Sequence, residues 1–377
     1  MEKILYVCTA PGLESYSIGL ISAAFSSKVI DLYVCVFLNA SDQRTKAQLI
    51  LDYSIQSATA HKILFLQLPA NKVKRILSSG SYLNQVAAFA TRNGIRKIHF
   101  ISQDVILWGY LHKFKNFSLY YTVHDLHPHE VKLSKLQKLK HWYFRIRKDR
   151  NLMKTISRLV TNSTHQWEAL KERYPNKKVY LHAMPGLITP AIRAGTKTIK
   201  ELDSVSQYIL FFGKIEWYKG LDLLYQAFVS IPELKNIKLV IAGKGDIYFN
   251  REPLHEDHII FINRYIADHE MNDLFGKAAA FVMPYRSATQ SAVTSLAYHY
   301  GLPVIASGIS ALKETVKPDK TGFLFPMGDV KAMASQILKI YTEQELYQKI
   351  ATTVKEGHSF YDPKILQQQL EEIYTDK

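Results

Sequence analysis

Cysteine is nearly absent from this sequence: Cys8 and Cys35 are the only two in 377 residues. Both lie in apolar stretches, ILYVCTA and LYVCVF, which reads as two buried, reduced thiols and excludes a disulfide framework. Carboxylates are scarce as well, 33 Asp and Glu against 48 Lys and Arg, leaving a formal charge of +15 and a pI of about 9.4. No stretch reaches the roughly 20 apolar residues that a membrane-spanning helix needs. The opening MEKILYVCTAPG has too short an apolar run, ended by Pro11-Gly12, for a secretion signal, so a soluble or peripheral protein is expected. Collagen-like periodicity, low-complexity tracts and short internal repeats are missing too. The chain has instead 47% hydrophobic residues and length enough for two cores. Its surplus positive charge requires an anionic partner: nucleic acid, a phospholipid surface or a phosphorylated small molecule.

Short β-branched apolar runs alternate with longer helical patterns almost throughout, the signature of parallel sheets built from β-α units. In the first half, strands are expected at 3–8, 29–37, 63–66, 97–101, 118–123 and 158–161. The chain turns polar from 190 to 206, mixing basic, small and acidic residues, and this stretch is the expected interdomain linker. A second series follows at 208–212, 238–242, 259–261, 280–284, 303–306 and 322–325. Each run is nearly all apolar and closed by Gly, Pro or polar residues, as buried parallel strands are. The expected architecture is α/β, with doubly wound domains at 1–188 and 204–357 that bind ligands in a cleft at the C-terminal ends of their strands. In the tail 358–377, an amphipathic helix at 363–374 is expected to pack back on the first domain.

The strongest chemical signal opens the second series. In FFGKIEWYKGLD a strand ends at Gly213, and Lys214 and Lys219 bracket a short loop before a helix. Backbone N–H and ammonium groups converging there suit a diphosphate without a metal, although an ordinary βα turn with two solvated lysines gives the same pattern. An ordered set follows: LVIAGKGD, FINRYI ending at Ile266, a strand ending in MPY, then RSATQSAV running into a helix that stops before GLPVIA. Small residues at Ser291 and Ala292 let a phosphate approach the backbone at a helix N-terminus, where the dipole favours anions. SALKE and TGFLF come farther on.

This set, in this order over 208–341, resembles the group-1, family-4 retaining glycosyltransferases of the GT-B fold. The Ala-Thr-Gln-Ser loop resembles a branch found among bacterial surface-polysaccharide transferases. The resemblance implies two facing Rossmann-like domains with an interdomain cleft. It implies that Lys214 and Lys219, with Gly213 beside them, bind the donor diphosphate, and that Ser291, Ala292 and Val293 offer backbone N–H groups. Gln290 would meet the sugar edge and Glu314 would belong to the family's later acidic element on the donor side. Ile266 would either lie against the nucleobase or be packed in the core. One departure stands out: where the family has two glutamates, for the donor sugar and the ribose, this chain has Ala288 and Leu296.

After the strand expected at 118–123 comes TVHDLHPHE, with three histidines and two carboxylates in seven residues. Pro128 and the short separations fit no standard ligand spacing such as HExxH, so no metal is expected. By the resemblance, His124 stands beside the donor sugar, either contacting it or orienting the acceptor, and Asp125 holds His124 or caps the next helix. His127 and His129 face an acceptor phosphate or are solvated. Gly12, in the first βα turn, corresponds loosely to the family's glycine loop near donor and acceptor, because the usual adjacent glycine pair is absent. The basic charge concentrates at 131–154, with Lys132, Lys135, Lys138, Arg145 and Arg147 set among leucines at helical spacing and Trp142. Such a helix reads as a membrane-surface anchor, or as a helix packed on the first domain with solvated lysines. No nucleic-acid-binding module is recognisable, so nucleic acid is not an expected partner.

The resemblance thus implies a metal-independent, retaining glycosyltransferase that uses no cofactor and takes a UDP- or GDP-sugar as donor. The acceptor would be a lipid-linked saccharide at an anionic membrane surface, the cytoplasmic face of the cell membrane, in lipopolysaccharide or capsule synthesis. Two other readings stay open. One is a nucleotide-sugar epimerase on the same plan. The other is a non-catalytic membrane scaffold, which the lost glutamates favour and the retained Lys214, Lys219 and His124 oppose.

Overall fold

A computed structural model describes residues 1–9, 13–53, 55, 57–102, 110–126, 152–356 and 361–376. Gly12, His127, His129 and the expected membrane residues Lys132, Lys135, Lys138, Trp142, Arg145 and Arg147 lie outside the described residues. The chain forms two compact units. The first holds Met1–Leu126, the described part of Lys132–Pro185, and Tyr361–Lys377; the second holds the described part of Gly186–Phe360.

The first unit is built on a parallel sheet of β1 (Glu2–Cys8), β2 (Ile30–Leu38), β3 (Ile63–Gln67), β4 (Lys97–Phe100), β5 (Ser118–Thr122), β6 (Arg158–Thr161) and β7 (Lys178–Leu181). The order is β3-β2-β1-β4-β5-β6-β7, so the winding reverses between β1 and β4, as in doubly wound sheets. The central strands are apolar on both faces because helices cover both. Edge strand β7, KVYL, was not among the expected strands; it is short, begins with a lysine and is only half-buried, so it lacks the apolar run of the others.

The last helix, Pro363–Thr375, starts at an Asp362 cap whose side chain accepts from the Lys364 N–H, and buries Leu366, Leu370, Ile373 and Tyr374. It packs on the helix Glu14–Phe25 and on β1. Its docking is unusually polar. The Tyr374 hydroxyl donates to Tyr6 at 3.0 Å and lies 2.5 Å from His99 Nδ1, while His99 Nε2 lies 2.8 Å from Thr122 Oγ1. Lys97 donates to the Tyr374 carbonyl at 2.6 Å, and Ser27 to Glu371 at 2.6 Å.

The second unit holds β8 (Tyr208–Phe212), β9 (Leu239–Ala242), β10 (Ile259–Ile262), β11 (Ala278–Met283), β12 (Val304–Ser307) and β13 (Gly322–Phe325), all parallel, in the order β10-β9-β8-β11-β12-β13. The stretch expected as a linker is instead built into this unit, and the change of unit falls at Pro185–Gly186. Thr189 donates to Asp268 at 2.6 Å, the Ile199 N–H donates to Asp273 at 2.8 Å, and Ile199 and Leu202 are fully buried. A few spaced apolar anchors, hidden by the polar average, hold it.

Candidate functional site

In the second unit, β8 delivers the chain to Gly213, and the loop to Gly220 leads into the helix Leu221–Ser230. The two lysines of this loop differ sharply. Lys214 is exposed and ion-paired with Glu216. Lys219 is only 9% exposed. Among the described residues its ammonium has no carboxylate partner; its neighbours are the face of Tyr285, 5.3 Å from Nζ to the ring centroid, and the backbone of Gly213. Gly213 has φ +137, and a Cβ there would come within 2.7 Å of Lys219 Nζ. Gly220, at φ +66, lets the loop's far end touch β11's exit: a Cβ would stand 1.9 Å from the Pro284 carbonyl.

The loop is fastened to the segment after β11 by a strut that the sequence reading did not single out. Arg286 makes a bidentate pair with Asp222, both contacts at 2.7 Å, donates to the Trp217 carbonyl at 3.0 Å and stacks over the Trp217 ring at 4.7 Å. Tyr248 donates to the same carboxylate at 2.9 Å. Burial opposes ionisation of Asp222, and the bonds from Arg286 and Tyr248 override it, holding the carboxyl below its usual range. Arg286 is thus committed to structure. Arg286→Ala and Asp222→Ala should each destabilise, and a double-mutant cycle in urea should give a coupling of about 1–2 kcal/mol. Additive losses would mean that the strut is not formed.

Beyond Arg286, Gln290, Ser291, Ala292 and Val293 are half-buried and lead into the helix Thr294–His299. Thr294 and Ser295 hydroxyls donate back to the carbonyls of Ser291 and Ala292, at 3.0 and 2.6 Å. Among the described residues, the N–H groups of Ala292 and Val293 have no partner. The Tyr285 hydroxyl, Ser287 Oγ and Gln290 Oε1 are buried without partners on the same terms. Leu296 is 2% exposed and belongs to the core, so its place offers no polar contact. Ile266 is equally buried, and Glu314 is half-buried on the helix Ser310–Thr315.

In the first unit, polar residues gather where the strands end. His124 follows β5 and is 8% exposed; its Nε2–H donates to the Ile101 carbonyl at 2.9 Å, and the Tyr16 ring lies edge-on 4.9 Å away. A carbonyl acceptor requires the proton on Nε2, which leaves Nδ1 as a lone-pair acceptor. Burial lowers the pKa of His124, partly offset by the Ile101 bond and the Asp125 charge, so the ring is neutral at pH 7. Gln166, another residue the sequence did not flag, holds this turn: Nε2 donates to the Val123 carbonyl and to Thr161, both at 2.6 Å, and Oε1 accepts from the Leu126 N–H at 2.7 Å. Asn162, after β6, donates to Met184 Sδ at 3.1 Å, with its Oδ1 buried and unpartnered among the described residues. His182, after β7, donates from Nδ1 to the Ala183 carbonyl at 2.7 Å and buries an unpartnered Nε2. Among the described residues no three His, Cys, Asp or Glu side chains group as metal ligands.

Residues 206–343 match the family described as glycosyl transferases group 1. The sulfoquinovosyl transferase SQD2 of Arabidopsis thaliana is 26% identical over 157 residues, which is 41% of this chain and 30% of that protein. The match thus spans less than a third of this curated relative. Among solved structures, sucrose-phosphate synthase from Thermosynechococcus elongatus is similar at a TM-score of 0.68 and 16% identity, over 99% of this chain and 98% of the other. Anabaena Alr3699/HepE in complex with UDP-glucose is similar at 0.66 and 16%, over 99% of both chains. Such low identity speaks for the fold alone, and the two parallel Rossmann-like sheets are those of the GT-B fold. Among the described residues, no helix is long and apolar enough to cross a membrane.

Proposed function

We propose that this chain, whose residues 206–343 form a group 1 glycosyltransferase domain, moves a sugar with retention from a UDP- or GDP-sugar to a lipid-linked saccharide. The transfer would take place at the inner face of a cell membrane, in surface-polysaccharide biosynthesis. Lys219 carries the reading. Its stem is buried, and its ammonium, with no carboxylate partner among the described residues, is held at the Gly213 backbone and the Tyr285 face, where it can meet an anion that arrives with the substrate. The donor diphosphate supplies that anion. Lys214 joins from the solvent side once it leaves Glu216, at little cost, because an exposed ion pair is worth under about 1 kcal/mol. The open N–H groups of Ala292 and Val293, and the unpartnered Tyr285 and Gln290 groups, support further phosphate and sugar contacts.

Negative charge grows on the leaving diphosphate as the glycosidic bond breaks, so fixed cations stabilise the transition state more than the ground state. With retention, the acceptor hydroxyl attacks from the face the diphosphate leaves. A departing phosphate oxygen takes its proton, and this scheme uses neither a protein base nor a metal. His124, neutral and with no partner for Nδ1 among the described residues, suits a sugar hydroxyl as hydrogen-bond donor. The UDP-glucose bound by Alr3699/HepE makes uridine diphosphate sugars the first donors to try.

The scaffold reading has one observation in its favour, the burial of Leu296 in place of a carboxylate. Release of nucleoside diphosphate, measured with and without lipid-linked acceptor, separates the readings. Acceptor-dependent release supports transfer. Absence of release with every donor supports the scaffold, and an epimerised donor without acceptor supports the epimerase.

A further inference from the structure

Three exposed large hydrophobic side chains fall within five residues of each other. Val73, Ile76 and Leu77 are 63, 60 and 77% exposed. Their i, i+3, i+4 spacing sets them on one side of the first two turns of the helix Lys72–Arg92. The buried stripe of that helix, Ser79, Leu83, Val86 and Ala90, begins beyond them. Exposed apolar residues scattered singly need no explanation, but a cluster on one helix face marks a contact surface.

The charge around this cluster says what it contacts. From 53 to 103 the chain has no Asp or Glu and seven Lys and Arg, and Lys74 is exposed within the cluster itself. A second copy docked on the same face would set this stretch against its own like charge, which disfavours self-association. Of the seven, Lys62 and Lys97 are ion-paired with Asp31 and Glu2, whereas Lys72, Lys74 and Arg75 fall in the cluster's own turns. Apolar side chains with these cations beside them fit an anionic lipid surface, where the side chains enter the acyl boundary and the cations meet phosphate.

The placement fits as well. The helix begins just after β3, and all strands of the sheet are parallel, so its first turns stand on the rim that also carries His124 after β5. Four strand spacings separate β3 from β5, about 19 Å at the usual 4.8 Å each. We infer that the face formed by Val73, Ile76, Leu77 and Lys74 docks the first unit on an anionic bilayer, presenting the rim around His124 to molecules held there. Only the purpose of docking rests on the proposed function; the surface itself does not.

Flotation of the full chain with phosphatidylcholine vesicles, and with vesicles of phosphatidylcholine and phosphatidylglycerol in equal parts, tests this. The wild-type chain should float with the anionic vesicles. Combining Val73→Ser, Ile76→Ser and Leu77→Ser should weaken that partitioning by about tenfold or more, with unchanged thermal unfolding because the three are exposed. Lys74→Glu should also lower it, by about tenfold at low salt and less at high salt. The comparison is repeated with Lys135, Lys138, Arg145 and Arg147 changed to Gln, so that the second basic stretch cannot mask the loss. Unchanged flotation of the triple variant in both backgrounds overturns the inference, as does a lipid-free dimer that the triple variant abolishes. Vesicle binding reads neither donor nor transfer, so either result leaves the diphosphate-release test to judge the function separately.

Discussion

Lys219→Met should lower kcat/KM with the proposed nucleotide-sugar donor by about 10²–10³-fold while leaving the protein about as stable as before. Activity and stability part company because of what the ammonium touches. Its stem is buried, it has no carboxylate partner among the described residues, and it lies between the Gly213 backbone and the Tyr285 face. Methionine keeps the apolar stem and removes a charge that no carboxylate among the described residues pairs, giving up a cation–π contact worth about 0.5–2 kcal/mol. A lysine kept for packing would behave otherwise: its loss would lower stability and spare the donor. Lys214 sets the internal contrast. It is exposed and already paired with Glu216, so Lys214→Ala should act mainly on KM, by about tenfold. Steady-state kinetics, donor calorimetry and thermal unfolding of both variants decide. A destabilised Lys219→Met with unchanged donor affinity would remove the residue from the site.

The contrast between these lysines also shows where reading the sequence stops. The motif GKIEWYKG names both lysines, but spacing cannot say that one is exposed and paired while the other is buried and unpaired. That depends on Tyr285, brought to Lys219 from another strand's exit. The Arg286–Asp222 strut, 64 residues apart, is invisible for the same reason: a single sequence records no pairings. What was legible is what local physics decides. The twelve apolar runs expected as strands all lie in the two sheets, within two residues at each end, because a parallel strand buried on both faces must be apolar throughout. Edge strand β7 escaped because an edge needs no such run. The stretch 190–206 was misread because its anchors, Ile192, Ile199 and Leu202, are diluted by polar neighbours. His124 was flagged in its motif, whereas nothing in the sequence singled out His99 or His182, and their importance comes only from the burial they share.

Acidification from pH 7 to 5 should loosen the first unit through those three histidines. Burial lowers the pKa of each below its ordinary 6.5: His182 to about 4, His99 well below, and His124 in the same direction. Above pH 6.5 the rings are neutral in folded and unfolded chains alike, and they cost nothing. Below it the unfolded chain binds protons that the folded chain refuses, so stability falls as pH falls, until each folded pKa is reached. For His182 the window from 6.5 to 4 is worth roughly 3 kcal/mol, and the other two add with the same sign. The rings repel one another once charged, so a proton on one makes the next harder to add. The cost is buried charge rather than lost bonding, since a charged His99 can still donate to Tyr374 and Thr122. Carboxylates with lowered pKa values, such as Glu371 at the last helix, lose their contribution only below the ordinary carboxylate range and do not blur this window. Hydrogen exchange of β4–β7 and of the helix Pro363–Thr375, corrected for intrinsic rates, should therefore report opening that becomes easier between pH 7 and 5. His182→Gln should flatten that dependence by about one proton, 1.4 kcal/mol per pH unit. If opening free energies in these elements are the same at pH 7 and pH 5, the buried histidines are not what limits the first unit in acid.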